Sequence, residues 1–182
     1  MSSAAPSHLP GEVFSEPPTP AATRRILQEF KALQDANLPQ VACSLEDDAN
    51  VYVWRVELAP PPESSLANEL RRYSSLTGSS PAVTLEVRFD GSFPFAPPFV
   101  RVVSPRFAFH TGHVTIGGSL CMAELTSTAW NPTFTMGQVL DMIAAALEEG
   151  DARLHETRPQ MEYTLREAQR NFLRVAQQHG WV

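Results

Sequence analysis

One thiol stands out by its surroundings. Cys121 lies in the stretch GGSLCMAELTSTAW, with Leu120 and Met122 on either side, a glycine pair just before and Trp130 downstream. A cysteine with a nearby base can attack a carbonyl carbon, because the thiolate is the nucleophile and a histidine can take its proton. His110 and His113 precede Cys121 in the Gly-containing run HTGHVTIGG, which reads as a loop. Loops are where chemistry concentrates, and glycine lets a substrate backbone approach closely. The opposing reading is an ordinary buried thiol, since free cysteine packs like a small hydrophobe. The residues alone leave both open. The other thiol, Cys43, falls within the apolar run VACSL and reads as strand packing.

Two further chemistries find little support. A cysteine hydrolase built on His110 or His113 needs a third group to orient the histidine, and none is evident. His155 and His179 lie near or on the C-terminal helix and read as solvated surface. A metal site is also poorly supplied: His110 and His113 make the one pair at ligand spacing, and nothing completes a tetrahedron. No cofactor is expected.

The bulk composition is that of an ordinary globular protein. A chain of 182 residues predicts one domain with a substantial core. It is 43% hydrophobic and 19% charged, as soluble globular proteins are. The net charge of -6 argues against nucleic acid as the main ligand. No apolar run is long enough to span a membrane, and no secretory signal is visible. The expected setting is cytoplasmic or nuclear, where thiols stay reduced.

The wider pattern predicts the elements that position Cys121. Residues 1–18 are rich in Ser, Pro and Ala and are expected to form a flexible tail, leaving 19–182 as the folded domain. A helix follows, capped by Thr19 with Pro20 at its first position and ended by Asn37 and Pro39. Its apolar stripe is Ile26, Leu27, Phe30 and Leu33, with Arg24, Arg25 and Lys31 outside it. Strands are predicted at VACSL, at 51–58, where Tyr52, Trp54, Val56 and Leu58 share a face, at 82–89 and at 99–104. Residues 63–80 read as a polar insertion holding one helical turn or two. Pro94, Pro97 and Pro98 make a rigid crossing into the last strand. Two helices close the chain, with capping boxes at Thr135/Gln138 and Thr164/Glu167 and glycines at Gly150 and Gly180. Helix, strands and helices that segregate in this way mean an α+β fold with a four-stranded antiparallel meander.

Taken together, Phe93-Pro94-Phe95-Ala96-Pro97-Pro98, then Gly118-Ser119-Leu120-Cys121-Met122, then Trp130-Asn131-Pro132 resemble the core of the ubiquitin-conjugating enzyme family. The first helix, RRILQEFKAL, and the strand VYVWRVEL resemble the corresponding family elements. The likeness covers about residues 20 to 182. The insertion at 63–80 and the ending YTLREAQRNFLRVAQQHGW are similar to the family's Q-type branch. One departure stands out. Most members carry His-Pro-Asn shortly before the cysteine. Here the stretch reads Thr111-Gly112-His113, and the Q-type branch lacks the tripeptide too.

The resemblance implies a cycle. Cys121 takes ubiquitin as a thioester from an activating enzyme, which consumes the ATP, and passes it to a substrate lysine or to a ligase cysteine. An unperturbed thiol, with a pKa near ~8.5, is expected to leave a modest thiolate fraction ready at neutral pH. The resemblance, by position, puts His113 where the oxyanion donor would sit, with the backbone N–H groups of Gly117 and Gly118 as the alternative. Glu148, Glu149 and Asp151 are candidates to orient or deprotonate the incoming amine. By the same likeness Arg24 and Arg25 would contact the activating enzyme, and Phe95 and Pro132 a RING or HECT ligase. The alternatives are an inactive module of this fold that only binds ubiquitin or ligases, and an unrelated cysteine hydrolase.

Overall fold

The computed structural model describes residues 16–181. Most of the expected tail, up to residue 15, lies outside the described residues. The next residues are tied down: the Gly91 N–H donates to the Glu16 carbonyl at 2.9 Å.

The first helix, α1, spans Pro20–Ala36 and begins as its sequence signals dictate. The Thr19 hydroxyl accepts the Ala22 N–H at 3.2 Å, and Pro20 occupies the first turn, where no N–H is needed. Asn37 closes the helix in the left-handed region, at φ 45°. Its buried residues are Ala22, Ile26, Glu29 and Leu33. The expected stripe therefore needs a correction. Leu27 is 46% exposed, and a carboxylate takes the buried face instead. Glu29 can be buried because both its oxygens are used. Oε1 accepts from Arg25 Nε at 2.7 Å, and Oε2 accepts the Met136 N–H at 2.8 Å. That N–H starts α3 (Met136–Glu149), so Glu29 caps one helix from the flank of another.

The sheet is the meander the strand pattern predicts. Strands β1 (Val41–Asp47), β2 (Asn50–Leu58), β3 (Val83–Arg88) and β4 (Phe99–Ser104) are antiparallel in the order β1-β2-β3-β4. Register places Trp54 between Leu45 and Val87, and Val56 between Cys43 and Leu85. Alternate side chains thus form one apolar face, packed in a single core with Ile26 of α1 and Leu140 and Ile143 of α3. Trp54 is fully buried, and its indole N–H donates to the Val51 carbonyl at 2.8 Å.

Residues 63–80 hold more helix than their polar composition suggests. A 13-residue helix, α2 (Ser65–Thr77), starts at Ser64, whose hydroxyl accepts the Ala67 N–H, and ends at Gly78 in the left-handed region. Leu66, Ala67 and Leu70 suffice to seat it. Its Glu69 reaches the segment after α3, accepting from Arg153 at 3.1 Å and from the Leu154 N–H at 2.8 Å.

The other face of the sheet is covered at β4. Phe99 and Arg101 alternate with Val100 and Val102 and so point away from the main core. There α4 (Leu165–His179) packs, its Phe172 ring edge-on to Phe99 at 5.7 Å beside Ala168 and Ala176. Arg101, on the same face, is buried, donating to both Glu86 oxygens at 2.9 and 3.1 Å and to the Tyr163 carbonyl at 2.7 Å. Burial alone would push the Glu86 carboxyl up. The hydrogen bonds and charges of Arg101 and Arg88 outweigh it, and the group is held below its ordinary 4.5. Because the folded carboxyl is the stronger acid, the pair's contribution is complete above that value and falls away as pH drops below it. Glu86→Gln is expected to cost about 3 kcal/mol near neutral pH, and the gap to wild type should shrink in acid. Urea unfolding at both conditions measures it.

Candidate cysteine site

The segment bearing Cys121 hangs on the outer edge of β4. The Val102 N–H donates to the Gly118 carbonyl at 2.7 Å, and the Leu120 N–H to the Val100 carbonyl at 3.4 Å. The chain before it folds back as a short antiparallel loop. The Cys121 N–H donates to the His113 carbonyl at 2.7 Å, Thr115 N–H to Ser119 at 2.9 Å, and Val114 bridges Leu120. Residues paired across such a ladder present their side chains on one side. His113 and Cys121 accordingly line the same two clefts. His113 is exposed and adopts φ 53°, Gly112 adopts φ 64° and His110 φ 62°.

The loop is clamped by close backbone contact. The Gly112 N–H donates to the Gly150 carbonyl at 2.7 Å. A β-carbon on Gly150 would come within 2.8 Å of Gly112 and 2.9 Å of the His113 ring. Gly150, at φ -80°, thus ends α3 without using glycine's positive-φ freedom; its small size is what the site needs. Gly118 differs: its φ is 92°, and the Tyr163 ring lies against it. Its N–H donates to the Thr115 carbonyl at 2.9 Å. The alternative oxyanion donor at Gly118 is therefore corrected, because that N–H is already engaged in closing the turn.

Cys121 itself is half-buried. Burial pushes its thiol above the ordinary 9.0, and no positive charge offsets the effect. Burial thus makes the resting thiolate fraction smaller than that of an unperturbed thiol. Alkylation of Cys121 by iodoacetamide is expected to keep accelerating, about tenfold per pH unit, up to and beyond pH ~9. A rate that levels off below about pH 8 would contradict the burial argument. Mass spectrometry of the labelled peptide reads it.

One cleft beside the thiol is acidic. It is lined by Glu124 and Glu149 together with His113, Met122 and Met142. Sequence reasoning reaches Glu149 but misses Glu124, although it lies only three residues past Cys121, in the 3-10 turn Ala123–Leu125. The other two acid candidates face elsewhere. Asp151 pairs with Arg153 at 3.2 Å, and Glu148 lines a cavity against α2. The second cleft at Cys121 is walled by α4, through Arg174, Val175, Gln178 and His179. No sequence signal points to that wall, because it depends on where α4 docks. Among the described residues no group of three His, Cys, Asp or Glu is arranged to hold a metal ion. No helix of the described residues is long and apolar enough to cross a membrane.

The remaining candidates gather at a separate end. The Trp130 indole N–H donates to the Pro94 carbonyl at 2.7 Å and its ring packs near Phe93, tying the two loops that carry Pro132 and Phe95. Phe95 is 82% exposed at the tip, and Pro132 is half-buried. Arg25 is committed to the same unit, donating to the Pro132 and Phe134 carbonyls at 3.3 and 3.0 Å and lying over the Phe93 ring at 5.8 Å. Arg24 is exposed beside it.

Comparison with known proteins follows the same outline. A family model described as ubiquitin-conjugating enzyme matches residues 25–179. The chain is 31% identical over 179 residues to the Q-like ubiquitin-conjugating enzyme protein CG4502 of Drosophila melanogaster, covering 94% of this chain and 56% of that protein. It is 33% identical over 167 residues to ubiquitin-conjugating enzyme E2 Q1 of Homo sapiens, covering 88% of this chain and 39% of that one. The chain thus spans about half the length of these relatives or less. Among solved structures, human ubiquitin-conjugating enzyme E2 G1 superposes with a TM-score of 0.56 at 17% identity, over 71% of this chain and 96% of that one. At that identity the likeness concerns the fold.

Proposed function

The chain belongs to the ubiquitin-conjugating enzyme family, in its Q-type branch, and from that premise we propose that Cys121 accepts ubiquitin from an activating enzyme and hands it on. The observation that carries the reading is the hairpin holding Cys121 at the junction of two clefts, with His113 directly across from it. In the first step the Cys121 thiolate attacks the thioester carbonyl carbon of the activated ubiquitin. The activating enzyme's thiolate leaves, and the new thioester joins ubiquitin to Cys121. In the second step a lysine amine or a ligase thiolate attacks that carbonyl and Cys121 leaves as thiolate. A thioester is already activated, so a thiol with a raised pKa still serves, only more slowly at rest.

The neighbouring groups take roles by position. His113 is the candidate donor to the oxyanion of the tetrahedral intermediate. Glu124 and Glu149 face the cleft from which an amine would arrive, and their charge favours holding the ammonium and receiving its proton. The loop unit around Phe95 and Pro132 offers the ligase an exposed aromatic, and Arg24 is the open cation toward the activating enzyme. No cofactor enters at the thiol, and ATP is spent upstream. The reduced thiol chemistry suits cytoplasm or nucleus. The stretch Thr111-Gly112-His113, where most family members carry His-Pro-Asn, favours a second reading, a binding module of the same fold that carries no thioester.

A charging assay separates the two. The protein is mixed with ubiquitin, activating enzyme and ATP and run on a non-reducing gel. A band heavier by one ubiquitin that disappears with reductant is expected. Its absence, with ubiquitin and with related modifiers and their own activating enzymes, would leave the binding module. His113→Ala is expected to slow discharge to free lysine by about 100-fold, as loss of one oxyanion donor does.

A further inference from the structure

The second cleft at Cys121 continues away from it. That depression, about 320 Å³, and a neighbouring one of about 210 Å³ share Phe109, Val114, Thr115 and Ile116 along their walls. They form one groove, from Cys121 to Met161. Its apolar surface is unusually open: Phe109 is 60% exposed, Ile116 52% and Met161 45%. These are half of the large exposed hydrophobics among the described residues, and contiguous apolar patches of this kind mark binding sites.

The charge around the groove opposes that of the molecule. The chain carries a net charge of -6, yet no Asp or Glu lines either depression. Arg106, Arg158 and Arg174 do, and so do all four histidines of the described residues. Arg106 is a builder of the wall, donating to the Met161 and Glu162 carbonyls and lying over the Tyr163 ring at 4.2 Å. Arg158 and Arg174 are exposed and make no ion pair among the described residues. An apolar floor with unpaired cations at its rim complements a chain that alternates apolar and acidic side chains.

We propose that this groove docks an extended acidic, apolar peptide segment of a protein partner, bringing it alongside Cys121. The inference rests on the reading of Cys121 as the transfer site only for what the docking is for; the docking itself stands on the groove. The acidic cleft on the other side of Cys121 gives the site a polarity. A cationic group is favoured on the Glu124 and Glu149 side and an anionic segment on the Arg174 side.

The test uses two fluorescein-labelled peptides of about ten residues, one with Leu and Phe spaced among Asp and Glu, the other with Lys at every acidic position. Fluorescence anisotropy with the full chain is expected to show the acidic peptide binding at least about tenfold tighter than its lysine twin. The double variant Arg158→Glu/Arg174→Glu is expected to reverse the order. At saturation the acidic peptide should slow alkylation of Cys121, read by mass spectrometry. Equal or tighter binding of the lysine twin, a preference that survives the double variant, or alkylation of Cys121 unaffected by bound peptide would each overturn the proposal. Charging with ubiquitin is measured on the same preparation. Acidic-peptide binding with no charging would remove the enzyme reading and keep the groove; charging without the preference would do the reverse.

Discussion

Cys121→Ala is expected to leave no thioester-linked ubiquitin, a loss of at least about 100-fold in the charged band, because no other group can replace a thiolate as acceptor. The prediction is sharp because the chain offers one competitor and the structure disarms it. Cys43 lies in β1 with its side chain against the core, and burial pushes its thiol up to about 12. Near pH 7 that leaves a thiolate population of about one in 100,000. Cys43→Ala should therefore charge like wild type. Cys121→Ser should charge slowly, since an alcohol is not ionised, but should give an oxygen ester that survives reductant. A reducible band persisting in Cys121→Ala would mean that the acceptor lies elsewhere and that the hairpin has been misread.

The second large effect is on stability. Gly118→Ala is expected to destabilise the protein by about 2–5 kcal/mol, because strain and overpacking fall on one atom. The residue sits at φ 92°, and a β-carbon there would lie 2.5 Å from the Tyr163 ring. Tyr163 cannot step aside freely. Its hydroxyl accepts the Phe107 N–H at 2.9 Å, and its carbonyl holds Arg101. The control is Gly78→Ala, at φ 74° with nothing within 4 Å, where only the backbone term of about 1 kcal/mol applies. Denaturant unfolding of both variants decides it. Equal costs would show that the Tyr163 contact gives way and that backbone conformation alone sets the penalty. A folded Gly118→Ala protein should also react faster at Cys121, since the turn next to it is the part that must move.

These two cases show what was legible in the sequence. The helix ends were, because a cap and a left-handed residue are local events, as at Thr19, Asn37, Thr135 and Thr164. The meander was, because alternation in 51–58 fixes a face and short connections force antiparallel neighbours. The cysteine loop was placed by its motifs. What escaped depends on long-range contacts. Glu29 looks like surface on a helix until Met136, more than a hundred residues on, requires a carboxylate. Glu86, Arg88 and Arg101 look like outward strand charges until Arg101 closes onto Glu86 and the Tyr163 carbonyl, more than sixty residues on. The length of α2 escapes because its polar residues outnumber the apolar ones, although Leu66, Leu70, Tyr73 and Leu76 do recur at helical spacing. The cationic groove is invisible for a plainer reason. Its residues come from the 106–116 loop, from 155–161 and from α4, and only the docking of Tyr163 and Phe172 brings them together.

The segment that carries Cys121 also changes what the sheet can do to other molecules. A four-stranded sheet exposes two rows of unpaired backbone groups, each a template for another chain to add a strand and begin aggregation. Residues 118–120 occupy the β4 row, so the same hydrogen bonds that seat the thiol also close one end of the sheet to self-association. The β1 row is left, and there the register slips between Leu45 and Asp47 while Glu46 and Asp47 place two negative charges at the bend. A bulge and like charges make a poor template for a second copy of the same strand. Loosening the Cys121 segment would therefore unlock the better of the two templates, and loss of solubility would accompany loss of the site.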